Sequence, residues 1–128
     1  MKAAVSQNIE ISVVPRFEEL KSSSVNNSFI HSYKVTIVNR NIFSVKILER
    51  CWFIFDSTEG SYTVFGEGVI GEKPVIEPGD SYTYNSYCEM TNDIGRMRGF
   101  YNLRNELSGE VFKATIPTFN LETPFSMN

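Results

Sequence analysis

Histidine occurs once in this 128-residue chain and cysteine only twice. A Cys/His zinc site needs four converging ligands, which His31 and the distant Cys51 and Cys88 cannot supply. The two cysteines therefore read as free, buried thiols. Basic runs are missing as well. Lys and Arg total 12 against 15 Asp and Glu, for a net charge of −3, and the closest basic pair is Arg96 and Arg98. The stripe that would meet a phosphate backbone is absent, so no nucleic-acid partner is expected. No apolar run approaches the roughly 20 residues of a membrane span. Behind Lys2 there is no long apolar stretch of a secretory leader. These absences lead to the expectation of a cytoplasmic, reducing compartment and no membrane contact. Catalytic signatures are lacking too. No G-x-S-x-G elbow accompanies His31, which excludes that route to a serine triad. Asp56, Glu59, Asp80 and Asp93 fall at turns and read as solvated charges, not as carboxylates opposed across a cleft. Glu89, Asn92 and Asp93 share a turn without the spacing of a calcium loop. No catalytic residue, metal site or cofactor is expected.

What the chain does have is alternation. With 41% hydrophobic and 21% charged residues it is an ordinary globular sequence, and its length suits one domain. Residues 1–8 read as a flexible terminus and 9–128 as a single domain. Ile9, Ile11 and Val13 alternate with polar neighbours until Pro15, which ends central pairing or marks an edge. The polar segment 18–27 reads as a loop. Phe29, His31, Tyr33, Val35 and Ile37 share one face of the clearest strand. Val45 to Phe55 carries apolar residues on both faces and reads as central, its outer face partly covered. Further period-two runs follow at Ser81–Tyr87, Met97–Leu103 and Val111–Ile116, separated by turns rich in Gly and Pro. After Pro117, Phe119, Leu121 and Phe125 are too apolar for a free end. No convincing amphipathic helix interrupts the pattern. The expected fold is all-β: an immunoglobulin or fibronectin type III-like antiparallel β-sandwich of about seven or eight strands. Its core would be rich in aromatic rings, with Trp52 buried in the third strand.

One stretch breaks the alternation: Val64-Phe65-Gly66-Glu67-Gly68-Val69-Ile70-Gly71-Glu72-Lys73-Pro74. It contains G-x-G-x-x-G. A dinucleotide site of that type needs a following helix, whose N–H groups hold the pyrophosphate. Pro74 and Pro78 forbid that helix, and no Lys-Ser/Thr pair makes a Walker loop. Two readings remain. The glycines serve the backbone, by permitting positive φ, a bulge or close approach. Alternatively, the loop presents outward N–H groups to an anion or a peptide. The candidate binding loop is Gly66, Glu67, Gly68, Val69, Gly71 and Glu72. Arg50 and Trp52 are its candidate supports, Arg50 through an ion pair or a cation–π contact. Tyr82, Tyr84, Tyr87, Phe100 and Tyr101 read mostly as core, and an exposed Tyr near the glycine loop would mark a recognition surface.

At this stretch the chain resembles the ApaG domain family. The resemblance is carried by Arg50-x-Trp52, Asp56 with Gly60, and Val64-x-Gly66-x-Gly68-Val69-x-Gly71-Glu72-x-Pro74. It continues through Pro78-Gly79, Tyr84-x-Ser86, Gly95-x-Met97-x-Gly99-x-Tyr101, Gly109-x-x-Phe112 and Ile116-Pro117-x-Phe119-x-Leu121 with Pro124. Before residue 45 the matches thin to Tyr33, Ile37 and Asn39. The resemblance implies a fibronectin type III-like sandwich and a small, stand-alone, cytoplasmic bacterial protein. It also implies an association with cobalt and magnesium tolerance and a gene beside that for a diadenosine-tetraphosphate hydrolase. Related domains lie within a eukaryotic F-box protein and a polymerase-delta-interacting protein, where they are read as protein-recognition modules. Members often place His between the Arg and Trp, and this chain has Cys51 there.

The expected function is that of a non-catalytic binding module recognising a protein partner, through a sheet edge or the surface around the glycine loop. The alternative is a sensor of a phosphorylated nucleotide or a divalent metal. Several sheet edges and an apolar tail are also compatible with a homodimer.

Overall fold

In the computed structural model, which describes residues 1–124, the alternating segments become two antiparallel sheets. One sheet runs in the order β1 (Lys2–Ser6), β2 (Ile9–Phe17), β3 (Phe29–Asn39), β7 (Ser81–Met90). The other runs β5 (Gly60–Glu67), β4 (Val45–Asp56), β8 (Ile94–Asn105), β9 (Val111–Glu122), with the short β6 (Val75–Ile76) beside β4. The all-β sandwich expected from the sequence is therefore present. The described residues form nine strands, two of which, β1 and β6, carry too little alternation to be recognised in the sequence. Trp52 accordingly lies in the fourth strand.

Period-two patterning places the core. Ile9, Ile11, Val13, Val35, Ile37, Val45, Ile47, Tyr101, Leu103 and Ala114 are wholly buried between the sheets. Each large apolar side chain removed from water in this way contributes about 1.5–3 kcal/mol. Trp52 meets the Tyr33 ring edge-on at 5.3 Å and the Phe119 ring at 6.0 Å, and so ties the two sheets together. The outer face of β4 is covered as expected, by cations. The guanidinium of Arg98 lies 4.7 Å from the Phe53 ring and that of Arg96 lies 5.6 Å from Phe55. The ammonium of Lys113 sits 4.4 Å from Phe100. The charged groups themselves thus lie over the phenyl faces, as in cation–π pairs.

Two sequence readings require correction. Residues 1–8 are not all a loose terminus. Lys2–Ser6 pairs with β2 from Lys2↔Val13 to Ser6↔Ile9. Gln7 and Asn8, with φ of 46° and 62°, form the tight turn between them, as two left-handed residues do in a hairpin. Main-chain ladder bonds, not side-chain periodicity, hold this strand. The second correction is Asp56, which is a buried carboxylate, 2% exposed, and not a solvated turn charge. Its Oδ1 accepts from the N–H groups of Thr58 and Glu59 at 2.8 and 3.2 Å. Its Oδ2 accepts from the N–H and hydroxyl of Thr91 at 2.8 and 3.0 Å. Burial alone would raise this carboxyl, but the backbone and hydroxyl donors of Thr91 with those of Thr58 and Glu59 hold it below its ordinary value. Asp56 thereby locks the β4–β5 turn to the end of β7.

The prolines fall where the ladders allow them. Pairing of β1 with β2 stops at Val13, so Pro15 lies beyond the reach of β1. Pro117 lies in the register shift of β9, where Met97 faces Phe119 and Gly99 faces Ile116. That bulge keeps Phe119 and Leu121 pointing into the core. Phe125, expected to pack with them, lies outside the described residues.

Candidate functional site

The two sheets meet along two seams, and only one is shut. At the first, β1 and β2 lie against β9, and the Thr115 N–H donates to the Ser6 hydroxyl at 3.0 Å. At the second, β5 and β7 are the free edges of their sheets and no ladder joins them. Between them is a cleft of about 500 Å³ lined by Arg50, Trp52, Val64, Ile70, Tyr84, Asn85, Ser86, Tyr87 and Cys88 among others.

The glycine stretch builds one lip of this cleft. β5 ends at Glu67, and the Gly68 N–H donates to the Leu48 carbonyl at 2.8 Å. Val69 and Glu72 then exchange main-chain bonds of 2.7 and 3.0 Å, closing a two-residue turn on Ile70 and Gly71. Gly68 has φ 60°, and a Cβ there would stand 1.9 Å from the Glu72 carbonyl oxygen. Only glycine fits that position. Gly66 is required for a different reason: its Cβ would lie 2.7 Å from Cζ of Arg50. The guanidinium plate occupies the place of a side chain, and its Nη1 donates to the carbonyls of Glu67 at 3.0 Å and Gly68 at 3.1 Å.

The structure thus gathers Arg50, Gly66, Glu67 and Gly68 into one unit. Trp52 supports it from the floor of the cleft. Arg50 differs from the expected arrangement, because it makes neither an ion pair nor a cation–π contact among the described residues. Val69 is wholly buried and anchors the loop from within. Glu72 accepts from the Tyr82 hydroxyl at 3.3 Å and links the loop to β7. Glu67 pairs with Lys73 at 3.7 Å on the surface.

Ile70 and Val64 escape sequence reasoning, and Tyr87 is the exposed Tyr beside the glycine loop that the sequence left open. Ile70 is 58% exposed and has φ 46°, a left-handed conformation that a β-branched residue adopts only under strain. Val64 and Tyr87 are exposed at the cleft, on opposite edges. Cross-sheet proximity brings them together, and no spacing in the chain announces it. On the β7 side, the hydroxyls of Tyr84 and Tyr101 are hydrogen-bonded to one another. Burial raises the phenols of Tyr33 and Tyr84 above the ordinary 10.0, so both remain neutral. Burial also pushes the Cys88 thiol up to about 11, which makes it a poor nucleophile at neutral pH. His31, wholly inside behind the Phe17 ring at 5.2 Å, is held neutral by burial.

The stretch that builds this glycine turn lies within a segment that matches a known family. The ApaG domain profile matches residues 19–105. The chain belongs to the ApaG domain family. Among curated relatives, Protein ApaG of Brucella canis is 40% identical over 97% of this chain and 95% of its own. Protein ApaG of Agrobacterium fabrum has the same identity and coverage. Among solved structures, an ApaA protein from Bordetella pertussis is 32% identical with a TM-score of 0.86, covering 91% of this chain and 94% of the other. The ApaG profile includes the cleft residues of β4, β5 and β7, and the glycine turn between them, but not the closed seam of β1 and β9.

Proposed function

We propose that this ApaG-family domain is a non-catalytic recognition module that receives an extended segment of a partner protein at the open seam, as an added strand beside β5. The observation that supports this most is the character of β5. From Gly60 to Gly66 it reads Gly-Ser-Tyr-Thr-Val-Phe-Gly, with no charge and no proline. Free edges are ordinarily blunted by charge, proline or a bulge, because they template pairing with other chains. β5 keeps its edge unblunted, and Ser61 through Phe65 are all exposed. Strand addition supplies affinity through main-chain bonds and specificity through alternate side-chain pockets, and the cleft beside Val64 is such a pocket. A sensor of a phosphorylated nucleotide has less support, since the N–H groups of Val69 and Glu72 are spent on one another's carbonyls and that of Gly68 on the Leu48 carbonyl.

The test is crosslinking capture from native extract with the wild-type protein and with Val64→Lys, which places a charge on the edge. Proteins retained by the wild type and lost by Val64→Lys would support the reading. Retention of the same proteins by both, or of none, would sink it.

A further inference from the structure

We infer that Arg50 is the receptor for one carboxylate side chain of the segment that the open seam accepts, so that the partner class is an extended acidic peptide. This inference rests on the strand-addition reading above.

The guanidinium is set in place before any ligand arrives. Its Nη1 is held by the carbonyls of Glu67 and Gly68, and its flat face lies on Gly66. A pinned guanidinium loses little freedom on binding, which favours a two-pronged ligand. Its other donors are unspent: Nε and Nη2 donate to no group among the described residues. Its charge is also uncompensated. The ion pairs among the described residues use Arg16, Arg40, Lys73 and Arg104, and none uses Arg50. A half-buried cation without a counterion is an arrangement that a bound carboxylate completes.

The walls agree with that occupant. Among the described residues no Asp or Glu lines the cleft, while Asn85, Ser86 and Tyr87 add neutral polar groups. A chain of phosphodiesters would need several cations, and Arg50 is the only one in the lining among the described residues. A single carboxylate matches a single guanidinium. Next to it, Val64 and the strained, exposed Ile70 offer apolar contact. The peptide therefore carries one Asp or Glu flanked, at alternate positions, by apolar residues.

A random-sequence peptide library is selected on the intact protein, and recovered peptides are measured against wild type, Val64→Lys, Arg50→Gln and Ser86→Asp. Recovered peptides should share an acid at one position, and its change to the amide should weaken binding by about tenfold or more. Arg50→Gln should weaken the acidic peptide equally and make the acid-to-amide change in the peptide inconsequential. Ser86→Asp leaves Arg50 and the glycine turn in place but supplies an internal carboxylate, and it should show the same insensitivity. Melting temperatures establish that each variant is folded. Peptides that require the Val64 edge yet show no acid preference would overturn the carboxylate assignment and leave strand addition standing. So would an acid preference that survives in Arg50→Gln. If no peptide is recovered, or if binding ignores Val64→Lys, strand addition fails and this assignment falls with it.

Discussion

The two seams of the sandwich are made from similar strands and end differently. At the closed seam, β9 carries Lys113 and Pro117 and bends at a bulge, and Phe119 and Leu121 point into the core. At the open seam, β5 carries no charge from Gly60 to Gly66 and is exposed from Ser61 to Phe65. Both seams contain enough β-branched and aromatic residues to close. What separates them is the occupant of the space between the sheets. On one side β9 packs directly on β1 and β2, and on the other the Arg50 guanidinium, resting on Gly66, borders a cleft. A charged plate cannot be packed over by a facing apolar strand at low cost, so the residue that keeps this seam open also gives it chemistry.

The largest expected effect comes from truncating the aromatic core between the two seams. Phe119→Ala removes a ring that touches both Trp52 and Tyr33 and should cost about 3–5 kcal/mol in urea unfolding. A loss below about 1 kcal/mol would mean that the ring contact joining the two sheets does not hold the fold. Asp56→Asn ranks next. It keeps the shape but replaces two of four accepting contacts with an N–H₂ group facing donors. A loss of about 2–3 kcal/mol is expected, with the amides of Thr58, Glu59 and Thr91 losing protection first in hydrogen exchange.

How legible these seams are in the chain follows from their physics. The closed seam is built from alternation, and alternation reports burial directly: Ile9, Ile11, Val13, Phe112, Ala114 and Ile116 are all placed by period two. β1 is missed because ladder hydrogen bonds leave no mark on side-chain pattern. Asp56 is misread because an acid in a turn looks the same whether its oxygens meet water or four protein donors. At the open seam the glycines are visible as a motif, and the prolines rule out a phosphate cradle from sequence alone. The purpose of Gly66 is not visible, because it lies in the side chain of Arg50, sixteen residues earlier and on a neighbouring strand. Val64, Ile70 and Tyr87 meet only through the pairing of sheets.

Gly68→Ala is expected to act within the open seam. The added Cβ meets backbone oxygen, not a flexible side chain, so the turn itself must shift, at a cost of about 1–3 kcal/mol. Gly66→Ala meets only the end of Arg50 and should cost less while displacing the guanidinium. Equal losses for the two would contradict the division of roles between them. The pH dependence separates the sheets in another way. His31 is buried in the sheet of β2 and β3, and burial lowers its pKa from 6.5. A lowered folded value means that the unfolded chain binds the proton first. Its contribution is therefore present above pH 6.5 and lost as pH falls through the folded value. Asp56 adds a second loss only below its ordinary 3.8, by the same sign. The urea midpoint should decline as pH drops below about 6.5 in the wild type and stay flatter there in His31→Gln.

The smallest expected change is the sharpest comparison. Val64→Thr replaces an exposed apolar edge side chain with one of similar shape and high strand propensity. At the closed seam a comparable polar change, Ile116→Thr, buries an unpartnered hydroxyl where Ile116 is 1% exposed and should cost about 2–4 kcal/mol. At Val64 the cost should stay within about 0.5 kcal/mol. A β5 side chain that contributes almost nothing to folding, yet is exposed beside an unpaired guanidinium, is not there for the core. If Val64→Thr instead destabilises the fold as strongly as Ile116→Thr, β5 is part of the core after all, and the open seam is only an incompletely packed version of the closed one.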